Sequence, residues 1–165
     1  MAEIRIACGR ATTYTDSLGQ LWAADNSSTG GGTFTSGDVI ANTPDQPLFQ
    51  AERYAIGQAD FSYLIPIPNG IYTLRLGFAE IFFGSAGQRV FNVFAQNTQV
   101  LFSYDIVADA GGNFRAVVKS SAITVVDGIA NVRLASITDN AKISNIEIVP
   151  KTSVPPPSFL MLMAC

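Results

Sequence analysis

The clearest pattern in the chain is a run of alternating apolar and polar residues over 71–83. The apolar members fall on every second position: Tyr72, Leu74, Leu76 and Phe78. Successive side chains of a strand point to opposite faces of its sheet, so the run predicts a strand with one buried face. Pro68-Asn69-Gly70 is a turn signal, and the apolar run over 61–67 before it predicts a hairpin partner.

Shorter runs of the same kind fill the rest of the chain. The runs over 89–95 and 100–106, separated by the turn-like Gln96-Asn97-Thr98, predict a second hairpin, and further strands are predicted over 114–126, 129–134 and 143–149. A polar, glycine-rich stretch over 25–37 predicts a long loop. Many short strands and no convincing helical stretch predict an all-β protein, an antiparallel β-sandwich or jelly roll with long loops at one end.

Composition limits the chemistry of the protein. The 165 residues include 10 basic and 13 acidic side chains and no histidine, which gives a formal charge of −3. Without histidine there is no Ser-His-Asp relay and no His-ligated zinc, and no basic stripe is available for nucleic acid. The two cysteines, Cys8 and Cys165, are too few for a disulfide framework or a metal cage, and Cys8 is predicted to be a buried thiol. We therefore expect no metal and no cofactor.

The chain divides into one folded domain and a tail. Residues 1–150 predict the domain, and residues 151–165 predict a proline-rich linker followed by an apolar heptapeptide over 159–165. Seven residues are too short for a membrane span, which needs about 20. The first residues enter a strand pattern directly, so no signal peptide is predicted in this chain. A linker of this kind favours a module that was attached to a larger protein.

Two carboxylates raise the possibility of glycoside hydrolysis. Glu80 follows the best strand and Asp139 lies in a turn-like segment, and a hydrolase needs such a pair about 5 to 10 Å apart. We favour the alternative that Glu80 is a structural carboxylate paired with Arg53 or Arg89, because buried carboxylates usually have partners.

The adjacent aromatic residues Phe82 and Phe83 suggest a different role for the same region. Neighbouring side chains of a strand point to opposite faces, so both rings cannot enter the same core layer. At least one ring is therefore expected at the rim of the domain. An exposed ring face is complementary to the C–H face of a pyranose sugar.

Several sequence strings occur together and in a characteristic order. They are Leu48-Phe49-Gln50-Ala51-Glu52-Arg53-Tyr54, the segment over 72–83, Gly87-Gln88-Arg89-Val90-Phe91-Asn92-Val93 and the closing segment over 141–148. These strings resemble the malectin-type carbohydrate-binding domains, and the resemblance runs from about residue 4 to residue 149.

The resemblance implies a fold, a function and a setting. The implied fold is a lectin-like β-sandwich, jelly-roll-like and similar to galactose-binding domains. The implied function is non-catalytic binding of a glucose-containing oligosaccharide, such as a glucan or a glycan, in a loop-lined cleft. Relatives occur as modules of larger proteins, so other domains of a parent chain are expected partners, and an extracellular, cell-surface or luminal location is favoured.

The resemblance also implies a binding site, an aromatic cage with one acidic residue. The family positions fall on Phe34, Tyr54, Phe82, Phe83 and Asp139. The family has tyrosine at the positions of Phe34 and Phe82, so two hydroxyls are absent here, and weaker binding or another glycan is expected.

Other readings of the chain remain open at this point. Glu52, Arg53 and Glu80 are expected to support the site structurally. An adhesion or protein-interaction module that has lost sugar binding is the second reading, and a glycoside hydrolase is the third.

Overall fold

The computed structural model describes residues 2–152, and the apolar heptapeptide predicted over 159–165 lies outside the described residues. Most of the described residues belong to short strands. In chain order the strands are β1 (Ile4–Ala7), β2 (Tyr14–Thr15), β3 (Leu21–Ala24), β4 (Ser28–Thr29), β5 (Gly32–Thr35), β6 (Ala51–Tyr54), β7 (Phe61–Pro66), β8 (Gly70–Phe78), β9 (Val90–Ala95), β10 (Thr98–Tyr104), β11 (Val117–Val125), β12 (Ile129–Thr138), β13 (Lys142–Ile143) and β14 (Asn145–Pro150). A short 3₁₀ helix (Gln46–Leu48) precedes β6, and one helical turn, α1 (Ile106–Ala110), precedes β11.

Two large sheets pack face to face. One has the strand order β11-β8-β14-β1-β3-β2 and the other β10-β9-β12-β7-β4. Neighbouring strands are antiparallel except for the parallel pair β1 and β3. The inner faces contribute one buried core that includes Ile6, Leu74, Leu76 and Ile146 from the first sheet and Tyr63, Phe91, Val93 and Leu134 from the second. The predicted all-β sandwich is therefore confirmed.

Strand β8 shows how the alternation in the sequence becomes a buried face. Tyr72, Leu74, Leu76 and Phe78 are each at most 2% exposed. Each such side chain gains about 1.5 to 3 kcal/mol when it leaves water. The strand ends at Phe78, five residues before the end of the predicted run.

The second predicted hairpin is confirmed. Strands β9 and β10 pair antiparallel, with Thr98 opposite Ala95. The two residues between them, Gln96 and Asn97, have φ angles of 51° and 62°. Positive φ at both central residues is the signature of a type I′ turn, whose twist matches that of the flanking strands.

The first predicted hairpin is wrong, because its two strands lie in different sheets. β7 pairs with β4 and β12, whereas β8 pairs with β11 and β14. Pro66, the last residue of β7, and Pro68, in the connection, lack the N–H that a ladder requires. Ile67 N–H instead donates to the carbonyl of Gly128, and the chain crosses from one sheet to the other. The sequence supplied the strands, but not their pairing.

The predicted loop over 25–37 contains two short strands, β4 and β5. Strand β5 pairs with β6, and β6 pairs with β13, which gives a third sheet of three strands. We call this the small sheet. Its strands do not pair with the strands of the two large sheets. The small sheet provides one wall of the site described below.

The thiol of Cys8 is buried directly after β1 and is 0% exposed, as predicted. Burial raises the pKa of this thiol well above its ordinary value, and a hydrogen bond with Tyr63 only partly opposes that effect. Such a thiol stays protonated and unreactive.

Candidate functional site

The small sheet places alternate residues of its three strands on one face. Phe34 of β5 lies opposite Glu52 of β6, and Tyr54 lies opposite Gly32 on one side and Lys142 on the other. Residues two apart on a strand, and residues directly opposite each other, share a face of the sheet. An aromatic side chain from each of two strands and two charged side chains therefore project together from the small sheet.

These residues face a cavity of about 310 Å³. Its lining residues are Phe34, Glu52, Tyr54, Phe82, Arg89, Asp139 and Asn140. Phe82 is 69% exposed and Phe34 is 42% exposed, so both rings lie at the rim. Glu52 is only 3% exposed and lies on the inner wall. The cavity thus has an aromatic rim and a polar interior, as small-ligand sites commonly do.

Gly32 makes room for the Tyr54 ring. A Cβ built on Gly32 would lie 3.3 Å from both Tyr54 Cζ and Tyr54 Oη, which is tighter than most real contacts. The phenol therefore lies over the glycine, and this position keeps the ring at the cavity wall.

A tight bend after β8 positions the two phenylalanines. Glu80 Oε1 accepts hydrogen bonds from the backbone N–H groups of Phe82 and Phe83, both at 3.1 Å. Phe82 then projects to the rim. Phe83 is not among the lining residues, because it is half-buried behind Phe82, with ring centroids 5.0 Å apart in an edge-on arrangement. The Arg89 guanidinium covers the Phe83 ring at 4.9 Å from its centroid.

The connection between β12 and β13 brings Asp139 to the opposite wall. Asp139 has a φ of 55°, a conformation that Asp and Asn tolerate better than most residues, and its Oδ1 accepts a hydrogen bond from Asn140 N–H at 2.7 Å. Arg89 Nη1 donates to the carbonyl of Asn140 and lies 3.6 Å from Asp139 Oδ1. The Asp139 side chain remains 42% exposed, so the carboxylate can still accept hydrogen bonds from a ligand.

A buried ion cluster lies behind the cavity. Arg89 Nε donates to Glu80 Oε2 at 2.7 Å. Lys142 Nζ lies 2.6 Å from Glu52 Oε2 and 3.2 Å from Glu80 Oε1. Two carboxylates are thus neutralised by two cations, which is the usual condition for burying charge.

The pKa values of the two carboxyls in this cluster shift in opposite directions. Burial alone raises the pKa of Glu80, but the charges of Lys142 and Arg89 and the hydrogen bonds to Glu80 outweigh burial and hold that pKa below its ordinary value. Burial raises the pKa of Glu52, and the charges of Lys142 and Arg89 offset only part of that effect, while the charge of Glu80 adds to it. Glu80 is therefore the better stabilised carboxylate.

The geometry supports the structural reading of Glu80. This residue is 1% exposed and does not line the cavity, and its oxygens are occupied by Arg89 and two backbone N–H groups. The partner is Arg89, one of the two predicted arginines. The other, Arg53, pairs with Asp25 at 2.9 Å.

A second cavity, of about 270 Å³, lies beside β11 and the segment that ends at Phe49. Its two aspartates are already satisfied by the protein. Asp16 accepts from Trp22 Nε1, and Asp45 accepts from Tyr14 Oη and from the Ser17 backbone and hydroxyl. Of these two cavities the first is therefore the better candidate, because it combines exposed aromatic rings with an exposed carboxylate.

Neither a membrane span nor a metal cluster occurs in the described part of the chain. Between residues 2 and 152, no helix is long and apolar enough to cross a membrane. Over the same residues, no group of three or more His, Cys, Asp or Glu side chains is arranged to hold a metal ion.

The structure brings together four of the five predicted site residues, and it adds three that the sequence reading did not place in the site. Glu52, Arg89 and Asn140 line the same cavity as Phe34, Tyr54, Phe82 and Asp139. The spacing of Glu52 is the one available signal: it precedes Tyr54 by two residues, and the structure shows that both lie on strand β6 and so share a face. For Arg89 the sequence offered only the predicted ion pair with Glu80, which did not by itself place Arg89 at the cavity.

The fold is a β-sandwich of two large sheets, with a cavity of ligand size beside its small sheet. The family model named Malectin domain matches residues 2–153. The chain therefore belongs to the malectin family, and the resemblance seen in its sequence strings is confirmed.

Individual relatives agree with this assignment. The chain is 40% identical to malectin-A of Xenopus laevis over 72 residues, a match that covers 43% of this chain and 25% of malectin-A. Among solved structures, the extracellular domain of ANXUR1 from Arabidopsis thaliana superposes with a TM-score of 0.78 at 21% identity, over 88% of this chain and 47% of that one. A β-glucuronidase from Bacteroides uniformis superposes with a TM-score of 0.79 at 24% identity, over 92% of this chain and 18% of the enzyme.

Each of these matches covers less than half of the related protein. The two structural matches show the shared fold only. The chain spans a quarter of malectin-A and less than half of the ANXUR1 extracellular domain.

Proposed function

We propose that this domain is a non-catalytic carbohydrate-binding module that recognises glucose-type oligosaccharides. The observation that supports the proposal is the convergence of three aromatic rings, Phe34, Tyr54 and Phe82, with the Asp139 carboxylate around one cavity. These residues come from separate strands and connections, yet they line the same space. Aromatic faces with a few oriented polar groups suit a pyranose ring, which is apolar on its C–H face and polar at its edge.

In this proposal each residue has a defined role. The rings at the rim pack against sugar faces, while Asp139 accepts hydrogen bonds from sugar hydroxyls and fixes the orientation of the ligand. Phe83 supports Phe82 from behind and holds its ring at the rim. The absence of phenol hydroxyls at Phe34 and Phe82 reduces the number of hydrogen bonds that the rim can offer.

The proposal extends to the setting of the module. The ANXUR1 match is to an extracellular domain, and the chain covers only a part of its relatives. We infer that the domain is part of a larger chain and acts in an extracellular, cell-surface or luminal compartment. A role in catalysis is not included, because the buried Glu80 has no access to the cavity.

A glycan array followed by calorimetric titration with maltose and nigerose tests the proposal. We expect binding by the wild type and its loss in Tyr54→Ala. No detectable binding on the array or at millimolar disaccharide would contradict the proposal and favour an adhesion or protein-interaction module. Release of reducing sugar that disappears in Glu80→Gln would instead show a glycoside hydrolase.

A further inference from the structure

The two buried glutamates of the ion cluster, Glu52 and Glu80, differ in how many hydrogen bonds their oxygens accept. Glu80 accepts from two backbone N–H groups and from Arg89 Nε, and it also contacts Lys142. Glu52 has one charged partner, Lys142, which it shares with Glu80. Glu52 Oε2 lies 2.6 Å from Lys142 Nζ, and the Glu52 side chain accepts no hydrogen bond from any other residue in 2–152.

This difference coincides with a difference in position. Glu52 lines the cavity and Glu80 does not. An ionised carboxylate has about four acceptor sites, and leaving such sites empty in a buried place is costly. Glu52 is 3% exposed, so water has little access to it. The unused acceptor capacity of the cluster therefore belongs to Glu52, which lines the inner wall of the cavity.

We propose that Glu52 is a ligand-binding residue, which accepts a hydrogen bond from a sugar hydroxyl that reaches past the aromatic rim. This inference rests on the carbohydrate-binding function proposed above and assigns to Glu52 a role beyond support of the site. The raised pKa of Glu52 is consistent with it, since burial dominates and a donated hydrogen bond from a ligand would supply the missing stabilisation of the charged form.

The charges around the cavity also define which sugars fit. The ion cluster and Asp139 together have three carboxylates, on Glu52, Glu80 and Asp139, and two cations, on Lys142 and Arg89. Both cations already contact carboxylates of the protein. A uronic acid would bring a further negative charge towards Glu52 and Asp139 without a free cation to meet it. The site therefore favours neutral saccharides that donate a hydroxyl to Glu52.

The test compares Glu52→Gln with a matched control, Glu147→Gln. Glu147 is also a largely buried glutamate, paired with Arg5 and Arg75 on strand β14, and it lines the second cavity rather than this one. The probes are maltose, nigerose and the tightest neutral saccharide from the array. We expect affinity to fall about 10- to 100-fold in Glu52→Gln, since hydrogen bonds to charged groups exceed neutral ones, and to stay within about 2-fold of wild type in Glu147→Gln.

A second variant separates ligand contact from charge balance. If Glu52 served only to neutralise Lys142, Glu52→Gln/Lys142→Met would restore affinity, and that result would overturn the inference. We expect the double variant to remain weak.

A third measurement changes the ligand instead of the protein and compares the wild type with Glu52→Gln. On the wild type, one monodeoxy analogue of the bound disaccharide should lose about as much affinity as Glu52→Gln loses, and the variant should be insensitive to that deoxygenation. Equal sensitivity of wild type and variant at every hydroxyl would overturn the inference while leaving the proposed function intact. Failure of the wild type to bind any saccharide would overturn both.

Discussion

Arg89 Nε donates a hydrogen bond to Glu80 Oε2 at 2.7 Å, and both side chains are buried, Arg89 at the cavity wall and Glu80 behind it. This pair links the interior to the rim. Glu80 Oε1 holds the backbone of Phe82 and Phe83, and the Arg89 guanidinium covers the Phe83 ring. The position of the exposed Phe82 ring therefore depends on a buried charge pair.

Glu80→Gln is expected to destabilise the domain by about 3 kcal/mol, because it leaves Arg89 and Lys142 with one fewer buried carboxylate. Urea unfolding followed by tryptophan fluorescence measures the change. The control is Asp60→Asn, which breaks the exposed 2.8 Å pair with Arg133 and should cost less than about 1 kcal/mol. Equal effects of the two substitutions would contradict a special role for the buried pair.

Phe82→Ala is expected to weaken saccharide binding about 10-fold or more with little loss of stability, because a rim ring contributes to the ligand and little to the core. Calorimetric titration and urea unfolding measure the two quantities. Phe102→Ala is a close control, since Phe102 is 71% exposed against 69% for Phe82 but lies on the edge strand β10. A similar loss of binding in both variants would show that the rim is not specific.

Gly32→Ala is expected to weaken binding several-fold by moving the Tyr54 ring, since a Cβ there meets the phenol at 3.3 Å. Gly37→Ala provides the control, because a Cβ at Gly37 meets no atom within 4 Å. The same titration compares the two variants. If Gly32→Ala binds as the wild type does, the packing of Tyr54 over the glycine is unimportant for the ligand.

The success and failure of the sequence reading have physical causes. The alternation of Leu74 and Leu76 predicted a buried strand face because burial on one side of a sheet is a local pattern. Pairing between strands is not local, so the partner assigned to β8 was wrong. The strand Gly32–Thr35 lies within the predicted loop. It is a strand because it pairs with β6, and its own apolar content does not indicate one.

The single helical turn was missed for a related reason. Helix α1 has five residues, too few for a periodic pattern, and its ends depend on individual side chains. Asp105 caps its first turn by accepting from Ala108 N–H, and Gly111 ends it with a φ of 80°.

The site was predicted to a similar extent. The resemblance named Phe34, Tyr54, Phe82 and Asp139, all of which line the cavity. It did not place Glu52 in the cavity, because strand β6, which carries Glu52 and Tyr54 on one face, was not predicted from the sequence.

The stability difference between Glu52→Gln and wild type is expected to depend on pH. The folded state holds the proton of Glu52 more tightly than the unfolded state, since its pKa is raised above 4.5. Wild-type stability is therefore reduced as pH rises from below 4.5 through the raised pKa, whereas a glutamine at this position does not titrate. Urea unfolding at several pH values from 4 to 8 should show that the stability of Glu52→Gln increases relative to that of the wild type as pH rises.

Glu80→Gln should show the opposite dependence. The lowered pKa of Glu80 gives wild type a stability contribution that is present above pH 4.5 and is lost as pH falls through the lowered value. The stability of Glu80→Gln should therefore decrease relative to that of the wild type as pH rises. The same sign of slope in both variants would contradict the assignment of the two carboxyls.

Phe82→Tyr and Phe34→Tyr are expected to tighten binding of glucose-type disaccharides, because each restores a hydroxyl that the malectin-type pattern has at that position. Both rings are exposed, so the added hydroxyl stays in water in the free protein and costs the fold little. One net hydrogen bond of about 0.5 to 1.5 kcal/mol corresponds to about 2- to 10-fold in affinity. Titration with maltose and nigerose measures the gain, and Phe102→Tyr should leave affinity unchanged. Weaker binding in both rim variants would mean that this cavity has adapted to ligands that require an apolar rim, and that its specificity differs from the glucose-type recognition proposed for it.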